Sequence, residues 1–221
     1  MKHALVVACL LLLAAPAVAQ VQTKETQAAM TPAAALERLK EGNARFVANA
    51  PKTRDWSAKV VATSSGQYPF VAVLACMDSR APTEIIFDQG LGDVFAVRVA
   101  GNVVNDDELG SLEYAVMVGT KLIVVLGHTK CGAVKGAIEG AELGHLTALL
   151  EKIHPAVEAA SCVDPKLDAC VTDVARRNVL HSMAEIRARS PYIATALDED
   201  RIDLIGGMYD VSTGKVAFFE K

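Results

Sequence analysis

Early in the chain the apolar positions recur at helical spacing, and after residue 69 they gather into short unbroken runs. Leu36, Leu39, Phe46 and Val47 follow Thr31-Pro32, a capping residue and a proline suited to a first turn, which predicts a helix from Thr31 to about Asn49. A second, short helix is predicted over Trp56 to Thr63. Phe70 to Ala75, Val94 to Val99 and Leu122 to Leu126 are rich in β-branched residues and do not alternate with polar ones. Such runs fit strands covered on both faces, as in a parallel sheet. Helical patterns separate them, at Pro82 to Phe87 and Asp107 to Val118. Beyond the third run, Leu143 to Ala160 and Val171 to Ala188 are helical, and Pro191 can open another helix. A fourth strand is predicted at Ile202 to Tyr209, and an edge strand at Val216 to Phe219 after the Ser212-Thr213-Gly214 turn. This alternation predicts an α/β fold. Its centre is a mostly parallel sheet of four strands plus an edge strand, flanked by helices and preceded by an N-terminal helical arm. Residues 31–221 contain no internal repeat and read as one domain.

The first residues follow a different pattern. Lys2 precedes an apolar run from Ala4 to Ala15, and Ala17-Val18-Ala19 has small residues where a cleavage site needs them. Residues 1–19 are therefore expected to be a signal peptide, giving an exported, periplasmic protein. The run is short for a bilayer span, so no membrane association is expected of the mature form. The polar residues 20–30 are expected to form a flexible leader. A formal net charge of -4 and 5% aromatic residues supply no basic, base-stacking surface, which argues against a nucleic acid partner.

Export changes the meaning of the cysteines. Cys76, Cys131, Cys162 and Cys170 remain beyond the signal peptide, and an even count in an oxidising compartment points first to disulfides. Cys162 and Cys170 enclose a polar segment containing Pro165, with no histidine at ligand spacing. They are expected to form a disulfide pinning a loop, with two free thiols as the alternative.

The other pair lies in a different setting. Cys76-Met77-Asp78-Ser79-Arg80 follows the first strand directly, and His128-Thr129-Lys130-Cys131 follows the third. Ligands of open α/β sheets bind beyond the carboxyl ends of the strands. Two thiolates and an imidazole suit tetrahedral zinc, provided that the first and third strands are neighbours. A cysteine after a strand is also an ordinary small core residue, and Cys76 and Cys131 can alternatively join in a disulfide. Asp78 and Arg80 favour the metal, because a metal centre needs an organised, charged surround; an ordinary ion pair is their simpler reading.

Taken together, these segments resemble the β-class carbonic anhydrases. The resemblance extends through Glu41-Gly42-Asn43-x-Arg45-Phe46, Asp88 to Phe95, Arg98 to Asn102, Ser111 to Val116 and Gly206 to Asp210, and covers most of residues 31–220. It implies one zinc ion per chain on Cys76, His128 and Cys131, and homodimers or homotetramers. It also implies reversible hydration of carbon dioxide to bicarbonate and a proton by attack of zinc-bound hydroxide. Asp78 is implied either to orient the attacking water or to close the site as a fourth ligand, with Arg80 holding it off the metal. Gln67 matches a bicarbonate-binding position. Phe95 and Tyr114 match walls of the cleft, though each is equally a packing residue. A regulatory bicarbonate pocket known in some members would need a tryptophan where Val73 stands; Arg98 and Tyr209 match but Val73 and Ala81 do not, so the open arrangement is expected. The rival readings are a carbon disulfide or carbonyl sulfide hydrolase on the same fold, and a non-catalytic exported zinc-binding or thiol redox protein.

Overall fold

The computed structural model describes residues 21–219. The proposed signal peptide, residues 1–19, lies outside them. Five strands form one sheet: β1 (Val71–Ala75), β2 (Val94–Arg98), β3 (Leu122–His128), β4 (Asp203–Tyr209) and β5 (Val216–Phe218). Their order is β2-β1-β3-β4-β5, parallel throughout except for the β4–β5 pair. The chain leaves β1 towards β2 and then crosses back to place β3 on β1's other side. The direction of winding therefore switches between β1 and β3, and a crevice at the carboxyl ends of those two strands follows from that topology.

Side chains on successive strand residues face opposite layers. Val71, Val73, Ala75, Leu122, Val124 and Leu126 pack on α2 (Pro32–Val47) and α4 (Thr83–Ile86) through Leu39, Ile86 and neighbouring Phe87. Ala72, Leu74, Ile123 and Val125 face the other layer: α5 (Asp106–Met117), α9 (Asp168–Arg189) and α10 (Pro191–Asp198). Both central strands are buried along their whole length, as their unbroken apolar runs require. The β2 run looks the same in sequence but lies at the sheet edge, and its residues are half-buried or exposed. Composition is set by the faces of a strand, whereas edge position depends on which strands lie beside it.

Thr31 caps α2 through its side chain, with Pro32 in the first turn, and α3 (Trp56–Thr63) is capped by Asp55. Three expectations are corrected. The stretch 20–30, expected as a flexible leader, contains the helix α1 (Lys24–Ala29), held by a Thr23–Thr26 capping box. Its Gln27 is buried and donates to the Pro69 carbonyl at 2.7 Å, a tertiary contact that the polar composition conceals. The single helix expected over Leu143 to Ala160 is two, α7 (His145–Glu151) and α8 (His154–Glu158); Pro155 lacks the N–H that a continuous helix would need. The helix expected from Val171 begins earlier, at Asp168, and takes Cys170 into its first turn. The strand β3 also leads through a tight turn into a short helix, α6 (Gly132–Glu139). Among the described residues no helix is long and apolar enough to cross a membrane.

Candidate metal centre

Cys76 follows the last residue of β1, and His128 ends β3. Because β1 and β3 pair in parallel, with Ala75 opposite Leu126, the two residues emerge side by side at the winding switch. Lys130 takes a left-handed φ of 56°, and this turn brings Cys131, the N-cap of α6, back to the same place. The ligand-type atoms of Cys76, His128 and Cys131 all lie within 4.8 Å of one another, and all three residues are buried. The sulfurs are 4.0 Å apart.

The donor set fits a cation. The His128 Nδ1 lies 2.9 Å from the Thr129 carbonyl, which can only accept, so the proton sits on Nδ1 and the lone pair on Nε2. That Nε2 is buried and makes no hydrogen bond. A buried polar atom without a partner is costly, and an ion between it and the two sulfurs would remove the cost. The Cys131 thiol, donating to the Cys76 sulfur, holds Cys76 down to about 4 against the opposing effect of burial, and the Gly101 N–H adds to this. Cys131 is correspondingly pushed up, because its proton bonds Cys76 and because it is buried. The two sulfurs are thus driven in opposite directions by their mutual contact, Cys76 towards the thiolate that a cation binds. Two thiolates and one imidazole are zinc donors, and three protein ligands leave a further position for chemistry.

Asp78 stands beside this group, its Oδ2 3.9 Å from His128 Nε2. Arg80 grips it in a fork: Nε to Oδ1 at 2.9 Å and Nη2 to Oδ2 at 2.7 Å, with the Arg80 backbone N–H also donating to Oδ1. Arg80 holds the Asp78 carboxyl well below the usual carboxylate range. Arg98, at the end of β2, donates to the carbonyls of Cys76 at 3.2 Å and Asp78 at 2.6 Å, fastening the turn that carries both. Val73 and Ala81 are fully packed core residues.

The remaining sequence-matched residues lie elsewhere. Phe95 pairs with Ala72, four residues before Cys76, which puts it about 13 Å back along the sheet. Tyr114 meets Phe95 edge-on, with ring centroids 5.9 Å apart, and Gln67 is exposed in the loop before β1. One chain does not bring these three to its own cysteines. Cys162 and Cys170 form a disulfide, their Cα atoms 5.2 Å apart, between the loop after α8 and the first turn of α9. His145 and His154 are exposed and His181 half-buried, none of them in the ligand group.

Sequence reading missed two polar residues behind the centre. Asn178 and Ser182 are buried on α9, among Val174, Ala175 and Val179, and bond the backbone of Gly101 and Asn102. Polar residues at core-facing helical positions were the available signal.

Residues 71–216 match the family model described as carbonic anhydrase. The chain is 39% identical over 196 residues to carbonic anhydrase 2 of Mycobacterium tuberculosis, covering 83% of this chain and 91% of that protein. Among solved structures it is similar to the β-carbonic anhydrase CafA of Aspergillus fumigatus, with TM-score 0.68 and 28% identity over 85% of this chain and 90% of that one. It also shares the fold of a tetrameric β-carbonic anhydrase from Sordaria macrospora, at TM-score 0.65 and 24% identity over 75% of this chain and 91% of that one.

Proposed function

As this chain belongs to the β-class carbonic anhydrase family, we propose that it hydrates carbon dioxide reversibly at a single zinc ion held by Cys76, His128 and Cys131. The convergence of two sulfurs and an orphaned imidazole nitrogen at the β1/β3 switch is the observation that carries this reading. Zinc, when bound, supplies a Lewis acid that makes a water molecule nucleophilic at ordinary pH.

The chain's own residues do the rest. Asp78 stays ionised and is therefore an acceptor only, able to take a hydrogen bond from water and orient it. Arg80 occupies both carboxylate oxygens, which keeps Asp78 out of the ligand group and favours the open arrangement. The ligands themselves are buried while Arg80 is exposed, so the centre opens to solvent on the Asp78–Arg80 side, where product and proton can leave. The family match favours carbon dioxide over the sulfur analogues and over a redox module.

A second copy of the chain completes this reading. Among the described residues the outer edge of β2 is unpaired, and Ile85, Leu91, Tyr114 and Met117 are exposed apolar residues. Two-fold antiparallel pairing of β2 edges would reverse the partner's strand. The partner subunit's Phe95, Tyr114 and Gln67 would then approach the end of the sheet where Cys76 lies. Export is part of the same proposal: the amino-terminal pattern calls for it, and the Cys162–Cys170 disulfide suits an oxidising compartment.

Stopped-flow hydration paired with metal analysis tests the reading. The expected result is one zinc per chain and carbon dioxide hydration, both lost in Cys76→Ser. Zinc binding without hydration would refute the activity, and absence of zinc would refute the centre.

A further inference from the structure

The Cys76 sulfur accepts a hydrogen bond from the Gly101 N–H at 3.3 Å, inside the protein. Gly101 lies in the 3₁₀ turn after β2, at a φ of 70°, and a side chain added there would strike Ile153 Cδ1 at 2.6 Å. Any other residue would be strained at that φ and would have to displace Ile153, and glycine is the residue whose backbone is least constrained by its own covalent structure. The direction of its amide must therefore be set by its neighbours.

Asn178 sets it. Buried in the middle of α9 at 1% exposure, it donates from Nδ2 to the Gly101 carbonyl at 2.7 Å. One helical turn further, Ser182 Oγ donates to the Asn102 carbonyl at 3.0 Å. The two side chains stand at i and i+4 on one helix face and hold successive carbonyls. This arrangement is costly, because Asn178 Oδ1 is buried without a hydrogen-bond partner in a wall otherwise made of Val174, Ala175 and Val179. An apolar side chain would pack there without that cost. The side-chain hydrogen bond that Asn178 makes ends on the glycine whose N–H faces a metal ligand.

We propose that Asn178 is a positioning residue of the hydration site: it holds the Gly101 carbonyl so that the Gly101 N–H points at the Cys76 sulfur, and with Ser182 it sets how much electron density that thiolate gives the metal. The proposal rests on the metal centre described above. An N–H bonded to a thiolate withdraws electron density from the sulfur, which leaves a bound cation more electron-poor and a stronger Lewis acid. The Gly101 N–H is a partner one bond behind the ligands, and loss of such a partner typically changes metal affinity or activity by about 10- to 100-fold; Asn178 acts one bond further back, through its orientation.

Cobalt(II) in place of zinc makes the sulfur visible, because thiolate-to-cobalt charge transfer absorbs light at an energy that falls as the sulfur becomes a better donor. The wild-type protein, Asn178→Ala and Ser182→Ala are each loaded with cobalt for spectra and with zinc for kinetics. In Asn178→Ala the charge-transfer band should move to lower energy with metal content unchanged, and kcat should fall by up to about tenfold with KM little altered. Ser182→Ala should move the band the same way by a smaller amount. A band that stays in place in both variants while the melting temperature drops would reduce Asn178 to a packing role and overturn the proposal. If Asn178→Ala fails to fold, Ser182→Ala decides the matter by the same band. A wild-type protein that takes up neither metal would overturn the centre itself; one that binds metal and hydrates carbon dioxide, with unmoved bands in the variants, would overturn only the assignment to Asn178.

Discussion

Arg80 and Asp78 meet through two parallel hydrogen bonds, Nε to Oδ1 at 2.9 Å and Nη2 to Oδ2 at 2.7 Å, within a Cys-x-Asp-x-Arg segment whose cysteine faces the metal centre. The pair is partly open to water, with Arg80 about half exposed, so its worth to folding is small. Its effect is geometric. Arg80→Ala should keep one zinc per chain and lose about 10- to 100-fold in hydration rate, because the released carboxylate is free to turn towards the metal. Metal analysis beside stopped-flow kinetics reads both, and full activity in the variant would contradict the role.

The same fork gives a pH dependence of stability with a definite sign. Arg80 depresses the Asp78 carboxyl in the folded state, so Asp78 stabilises the fold above its unfolded value of about 4 and loses that contribution as pH falls towards the folded value. Wild type and Asp78→Asn should therefore differ in stability at neutral pH and converge under acid conditions. Urea titrations at several pH values measure it; a difference that widens with acidity would reverse the sign.

Cys76 and Cys131 are free thiols, whereas Cys162 and Cys170 are joined. Thiol titration of a protein beginning at Gln20, after denaturation without reductant, should find two groups, rising to four with reductant. In the folded protein, stripping zinc with a chelator should expose the first two to alkylation, and zinc should protect them. Equal labelling with and without zinc would argue against the thiolate ligands.

The disulfide spans a sequence separation of eight and ties the start of α9 to the loop after α8. Closing a loop of that size should be worth about 2–3 kcal/mol. Cys162→Ser with Cys170→Ser should lower the melting temperature accordingly and leave zinc content unchanged, since neither sulfur lies in the ligand group. Loss of zinc in this double variant would show that the brace also shapes the centre.

Phe95 offers the test of assembly. It lies on the unpaired β2 edge and about 13 Å from its own chain's Cys76. Phe95→Asp should yield monomers in sedimentation velocity that retain zinc but hydrate carbon dioxide slowly. A fully active monomer would remove the partner subunit from the cleft.

Much of the centre was legible along the chain because its information is local. The unbroken Val, Ile and Leu runs mark strands, and the Cys and His-x-x-Cys at two of their carboxyl ends become ligand candidates once Asp78, Arg80 and the extended resemblance stand beside them. Asp78 and Arg80 meet because they are two residues apart in one turn. The Cys162–Cys170 pairing was likewise a matter of short separation.

Tertiary structure decided what local pattern does not encode. The β2 run reads like β1 and β3, yet only the sheet order makes it an edge, since edge position depends on neighbours distant in sequence. The same order sets β1 beside β3 and turns two separate motifs into one ligand group, while it leaves Phe95, Tyr114 and Gln67 at the far end of the sheet. Asn178 is the sharpest case: its bond to Gly101 spans 77 positions of chain. A contact of that range exists only after the α9 layer has packed against the sheet, because burial, not spacing, selects its partner.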